Sequence, residues 1–445
     1  MKKGEITAFL SLIFVLLVSF ILAMTESASI QTAKNGKRLD VDRAVFSFFG
    51  EYQKELLEEY EVFSVEGTYE TGHFAETLLL DRMAYYGSMG IRQEITEIQL
   101  LTDRGGAAFR EQVLEYMEQR TGIAIARDLT GLAETWEERE MQGEDMSRQL
   151  DQILPENREI LPEESNGIIQ ARESGILSLV LPRAFPLSGK TIRREEQVSI
   201  RSRQTGRGSF PVRSGQGKVE ERLLFGSYIA DKLGCAVEQK SENRNLDYEL
   251  EYLLYGKESD KKNLEEVVNR LLFFRFAMNY MYLLTDAQKQ GEVQTMSAAI
   301  SLVVLQPELE ELIRQILLIL WAFGESVMDL RSLLSGKRSA VVKNAENWQL
   351  PLGGLFRLGT AEDTQEGMDA ADGLTYSQYL QILLLLKKDS ELTMRTLDRV
   401  EQNLIYEKGL SFFRADACVT KIKLWNTADI WNGTTYSFPA YYGYS

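Results

Sequence analysis

The sequence predicts an α+β fold, predominantly α: one N-terminal transmembrane helix, a membrane-proximal α+β unit, a distal antiparallel helical bundle and C-terminal β-strands. Three observations predict it. Residues 6–24 are nineteen consecutive positions without a charge. Residues 246–334 carry apolar side chains at helical spacing in successive runs. Polar and apolar residues alternate at 94–101 and again at 418–425, the period-two mark of half-buried strands. With 445 residues the chain exceeds the size at which one core stops growing, so two or three packed units are expected.

As a helix, residues 6–24 span roughly 28 Å at about 1.5 Å per residue, the thickness of a bilayer core. Ile6, Leu10, Ile13, Leu17, Phe20 and Met24 recur along this anchor. Lys2 and Lys3 precede it, so the positive-inside tendency leaves residues 1–5 in the cytoplasm and sends the bulk of the chain across. A cleaved signal peptide shares the basic start and apolar run, but the run outlasts an h-region of about 7 to 15 residues and no Ala-x-Ala site follows. At about 100° per residue, Thr7, Ser11, Ser19 and Glu26 share an arc of about 120°. Such a face suits helix–helix contact in lipid, although lone hydroxyls also bond back to their own helix.

Residues 25–130 read as a helix leaving the membrane, a second helix over 41–60, and an α+β unit. The unit has a short β-prone run at 62–65, a helix over 71–86, a strand at 94–101 and a glycine turn at 103–106 that opens a helix over 107–120. Residues 131–220 read as a linker, acidic and then basic: 134–145 hold six carboxylates against Arg139 alone, 154–217 contain five of the eight prolines, and 190–222 hold nine basic and four acidic residues. Within it, 176–181 is apolar and needs cover as a strand or docking segment. Residues 221–408 read as the bundle, with four to six antiparallel helices between 246 and 406. The apolar runs 298–305 and 316–323 fall short of the roughly 17 residues a membrane span needs, so they read as buried helices. Residues 409–445 read as strands returning to an earlier sheet, with Tyr436, Tyr441, Tyr442 and Tyr444 on a packed edge or a partner surface.

A net charge of −16 argues against nucleic acid as a partner, while membrane lipid is one through the anchor. Two cysteines, Cys235 and Cys418, are too few for a disulfide framework and the wrong pattern for zinc; they either pair or stand as free thiols. The single histidine, His73, excludes sites built on two imidazoles and reads as part of a turn before a helix. Ser188-Gly189-Lys190-Thr191 ends like a P-loop, but Ala184 stands where the motif needs glycine. No GxSxG elbow is present. The expectation is a non-enzymatic chain with no cofactor and no metal site.

Several stretches together resemble a known group of proteins: 3–12, Glu26-Ser27-Ala28, Phe49-Gly50-Glu51-Tyr52 and 56–60, and later 252–257, 263–272, 345–350 and 376–380. The chain resembles an uncharacterised Clostridia and Firmicutes family of membrane-anchored proteins often encoded among Tad (tight adherence, Flp-type) pilus genes, similar in layout to TadE- and TadG-like pseudopilins. The resemblance implies a role in assembling or decorating a surface pilus or secretion apparatus, with other pilus or pseudopilin components as partners of the N-terminal helix. Flp-type prepilins are cleaved after a glycine and carry a glutamate five residues into the mature chain. Gly4 and Glu5 mark the corresponding processing site here, but the fifth residue after Gly4 is Phe9. That departure favours a permanent tether over a filament-forming stem. A second reading is an envelope adhesin or sensor module, and a third an anchored hydrolase of wall glycans.

Overall fold

An unbroken helix, α1, spans Lys3–Phe49. At about 1.5 Å per residue its length is roughly 70 Å. No proline interrupts it, and Gly36, the one glycine in its middle, faces open space. The expected separate helix over 41–60 is therefore not formed: its first half is the end of α1, and its second half is α2 (Lys54–Tyr60), beyond a turn at Gly50. The computed structural model describes residues 3–121, 127–157, 175–182, 185–211, 218–360, 362–430 and 433–444. By its contacts the chain divides into two units, the first built from 1–112, 202–214 and 408–445, the second from 113–201 and 215–407.

The first unit is a four-stranded antiparallel sheet covered by the end of α1. Its strands are β1 (Val65–Glu66), β2 (Arg92–Leu100), β3 (Cys418–Ile430) and β4 (Thr434–Gly443). The C-terminal β3 is central: β2 pairs along one edge, while β4 and the short β1 pair along the other. Val41, Ala44, Val45, Phe48 and Phe49 form one helical stripe that meets Ile95, Ile98, Ile422, Leu424 and Phe438 in the core. Helix α3 (Glu76–Met83) adds Leu79 and Met83. Residues 71–75, expected to be helical, precede that helix. Helix α4 (Asp103–Thr121) begins with Arg104, Gly105 and Gly106 at positive φ, which makes its opening the expected turn. Period two divides the C-terminal tyrosines: Tyr436, Tyr442 and Tyr444 pack against the core, and Tyr441 points away and is exposed.

The second unit is helical. Its described helices are α5 (Arg127–Glu156), α6 (Ile176–Val180), α7 (Val219–Lys232), α8 (Glu249–Tyr255), α9 (Asp260–Thr285), α10 (Ala287–Val303), α11 (Glu310–Leu334), α12 (Tyr376–Leu385) and α13 (Asp389–Tyr406), besides the end of α4. Helix α9 packs on α5 and α11, α10 on α11, α12 on α5 and α7, and α13 on α8. The run 316–323 is wholly buried within α11, but Leu302, Val303 and Leu305 end the 298–305 run exposed at the α10–α11 turn.

The acidic part of the expected linker is instead the body of α5. Trp136, Gly143, Ser147, Leu150 and Leu154 are buried at heptad-like spacing, and Trp136 stacks on Phe274 with ring centroids 3.9 Å apart. The acidic residues occupy the other faces, except Glu140, which accepts from Arg270 and from the Trp136 indole. The apolar 176–180 segment is the short helix α6, not a strand. Of the remaining linker assignment, 158–174, 183–184 and 212–217 lie outside the described residues.

Candidate functional site

Burial divides α1 into two halves with different surroundings. Among the anchor residues Ile6 is 44% exposed and Leu10, Leu17, Phe20 and Met24 more so, and Ile13 is also open. From 41 onward the stripe described above is closed off by the sheet. The first half is long and apolar enough to cross a membrane, and none of that apolar window is buried within the protein. By the area rule, about 25 cal/mol per Å² of apolar surface, such a bare helix in water is strongly unfavourable. Lipid, or other helices, must cover it.

The two halves are joined by a half-buried stripe at Ile30, Ala33, Lys34, Lys37 and Asp40. Here the start of β4 reaches the helix. Lys34 Nζ lies 5.2 Å from the Tyr436 ring centroid, and the Arg38 guanidinium lies 5.5 Å from Tyr436 and 5.9 Å from Phe438. Rings that stack on these cations fix the helix to the sheet beyond the apolar stem. Past the helix end, the Glu51 carboxylate accepts from Arg82, from the Tyr86 hydroxyl at 2.5 Å and from the Tyr69 hydroxyl at 3.3 Å. Burial alone would raise its pKa, but these donors outweigh it and hold the group below the usual carboxylate range.

The small polar face on the stem is partly self-satisfied. The Ser11 hydroxyl donates to the Ala8 carbonyl at 2.8 Å, as Thr25 does to Ile21. Ser19 and Glu26 stand exposed on the same stem as Thr7. Gly4 and Glu5 lie in the first turn of α1, and a Cβ at Gly4 would meet no atom within 4 Å. Both cysteines are free thiols, so no disulfide joins Cys235 to Cys418. Cys418 is sealed at the start of β3. Burial, reinforced by Glu251, pushes the Cys235 thiol up to about 12, which leaves it unreactive.

The other motifs prove to be structural. The Ser188 hydroxyl donates to Asp260 at 2.7 Å, and Lys190 Nζ donates to Asp247 and to the carbonyls of Glu242 and Arg244. The P-loop-like residues thus clasp the start of α8 and α9 and offer no phosphate cradle. His73 is exposed in the turn before α3.

The second unit also seals in a charge cluster that no motif or spacing announces. Arg275 of α9 donates to Asp329 of α11 at 2.9 Å, and Lys343 donates to Asp329 at 2.7 Å and to Glu325 at 2.5 Å. Asn279 and Gln349 donate to Asp329, while the Gln349 and Leu350 amides donate to Glu325. Burial alone would raise Asp329, but Arg275 and Lys343 outweigh it and hold it at about 2. Arg275, Asp329 and Glu325 are fully buried. Their carboxylates therefore bind two helices and a loop and line no cleft. Its one trace in the sequence is Arg275, the lone charge between residues 271 and 284. Among the described residues no group of three metal-ligating side chains converges.

Comparison with known proteins adds one match. A model of DUF5702, described as a family of unknown function, covers residues 157–430, from before α6 to the end of β3. No curated protein and no solved structure matches the chain.

Proposed function

The chain belongs to the DUF5702 family, and from its geometry we propose that it is a non-enzymatic, membrane-anchored accessory of a Tad-type pilus or secretion apparatus, pseudopilin-like in layout. The N-terminus lies in the cytoplasm, and the two units lie outside the membrane. One observation carries the reading: a single helix is a bare apolar stem at one end and the cover of an antiparallel sheet at the other. A stem of this kind holds its sheet at a fixed distance from the bilayer, because one helix runs unbroken through both halves.

The same continuity supports an anchor over a cleaved leader. A secretory leader ends at a small-residue site of the Ala-x-Ala kind, whereas here the helix continues through residues 25–40 without an Ala-x-Ala. The glutamate that Flp-type prepilins place five residues beyond their cleavage site is replaced here by Phe9, which supports a tether that stays in the membrane. The assembly role rests on likeness of layout and of the quoted segments, an argument from analogy. Deleting the gene in its native host tests it: loss or shortening of surface pili is expected, and normal piliation and adherence would overturn the role.

A further inference from the structure

A polar cleft of about 300 Å³ opens in the second unit between the 191–197 segment, the loop at Asn245 and the end of α13. This is the lower end of the size range of small-molecule sites. Its floor is made of carboxamides. The buried Arg399 donates to Asn245 Oδ1 at 2.9 Å and to Gln197 Oε1 at 2.6 Å, which turns both carbonyl ends inward and fixes the amide nitrogens. Asn245 donates one hydrogen to Gln402 Oε1 at 3.0 Å, and Gln197 donates one to the Arg193 carbonyl at 3.1 Å. Each nitrogen keeps a second hydrogen. Gln402 is only 6% exposed, and its own amide nitrogen donates to no group among the described residues. That nitrogen opens on the cleft, where a ligand can accept from it.

At the mouth Arg193 pairs with Glu196 at 2.8 Å, so the rim carries no net charge. Beside it Tyr406 is 56% exposed and offers an aromatic face. Fixed neutral donors, a hydroxyl from Thr191 and one open ring match a ligand that is uncharged, rich in hydroxyls and apolar on one face.

We propose that this cleft binds a single neutral pyranose unit, as a free sugar or as the exposed residue of a glycan. The ring's C–H face covers Tyr406, and its hydroxyls accept from Gln402, Gln197 and Asn245. All of these residues fall within the family-matched segment, and the inference does not depend on the assembly role. The test titrates the full chain in detergent micelles with glucose, galactose and N-acetylglucosamine, followed by saturation-transfer NMR, with inorganic phosphate as the charged control. Binding of at least one sugar is expected, weakened tenfold or more by Tyr406→Ala and by Gln402→Glu and unchanged by Lys240→Ala. Tyr406 is a surface side chain, so the first variant keeps the fold, and an unchanged thermal melt verifies it. Absence of binding by all three sugars, binding indifferent to Tyr406→Ala, or phosphate competing at the same site would overturn the proposal.

Discussion

Arg275, Asp329, Lys343 and Glu325 bring two positive and two negative side chains into the buried interior of the second unit. Such a cluster contributes little net stability against an apolar substitute, but removing one member strands the rest. Asp329→Ala leaves Arg275 and Lys343 facing each other, and a loss of about 3–5 kcal/mol is expected, read as a lower melting temperature of the detergent-solubilised protein. Glu251 tests the opposite case. It accepts from the Tyr376 hydroxyl at 2.9 Å and from the Ala236 amide, yet burial pushes its carboxyl up to about 7. The fold favours the protonated form, so this contribution to stability is full below the ordinary carboxylate pKa and is lost as pH rises through about 7. Denaturant midpoints at about pH 5 and about pH 8 should differ less in Glu251→Gln than in the parent. At this scale the sequence was legible only in part. In the sequence Arg275 is a lone charge among apolar residues, whereas nothing marks Asp329 or Lys343, because partners that meet in space leave no spacing to read.

Helix α5 shows why an element can be misread. Its buried stripe includes Gly143 and Ser147, which carry no hydrophobic signal, and its acidic faces dominate the composition. Glycine is needed there: a Cβ at Gly143 would stand 1.8 Å from the Phe273 carbonyl oxygen, so α5 and α9 meet at backbone distance. Gly143→Ala must push the helices apart, and a drop in melting temperature is expected despite the better helix propensity of alanine. In α1 the apolar stem was readable from composition alone, while its continuity with the sheet-covering stripe was not, since a small, polar stretch with Gly36 lies between them. Phe48, fully buried at the end of α1, joins the helix to the sheet. Phe48→Ala should cost about 3–5 kcal/mol, measured by denaturant unfolding of the same preparation.

The whole molecule is built by a chain that leaves its first unit and returns. Strands β2 and β3 were legible by alternation and β4 by aromatic content, and the return of β3 and β4 to an earlier sheet was anticipated. The central place of β3 was not, because strand order depends on pairings across more than three hundred residues. The proposed topology rests on the stem, residues 6–24, and an engineered thiol tests it. With both native thiols buried, a single exposed cysteine reports location cleanly. Lys261→Cys, at an exposed position in the first turn of α9, is to be treated in intact cells with a membrane-impermeant maleimide. Labelling without lysis is expected, of a protein that stays with the membrane through alkaline extraction and is freed by deleting residues 6–24. Labelling that requires lysis, or a labelled product found in the medium with the stem intact in the gene, would overturn the topology.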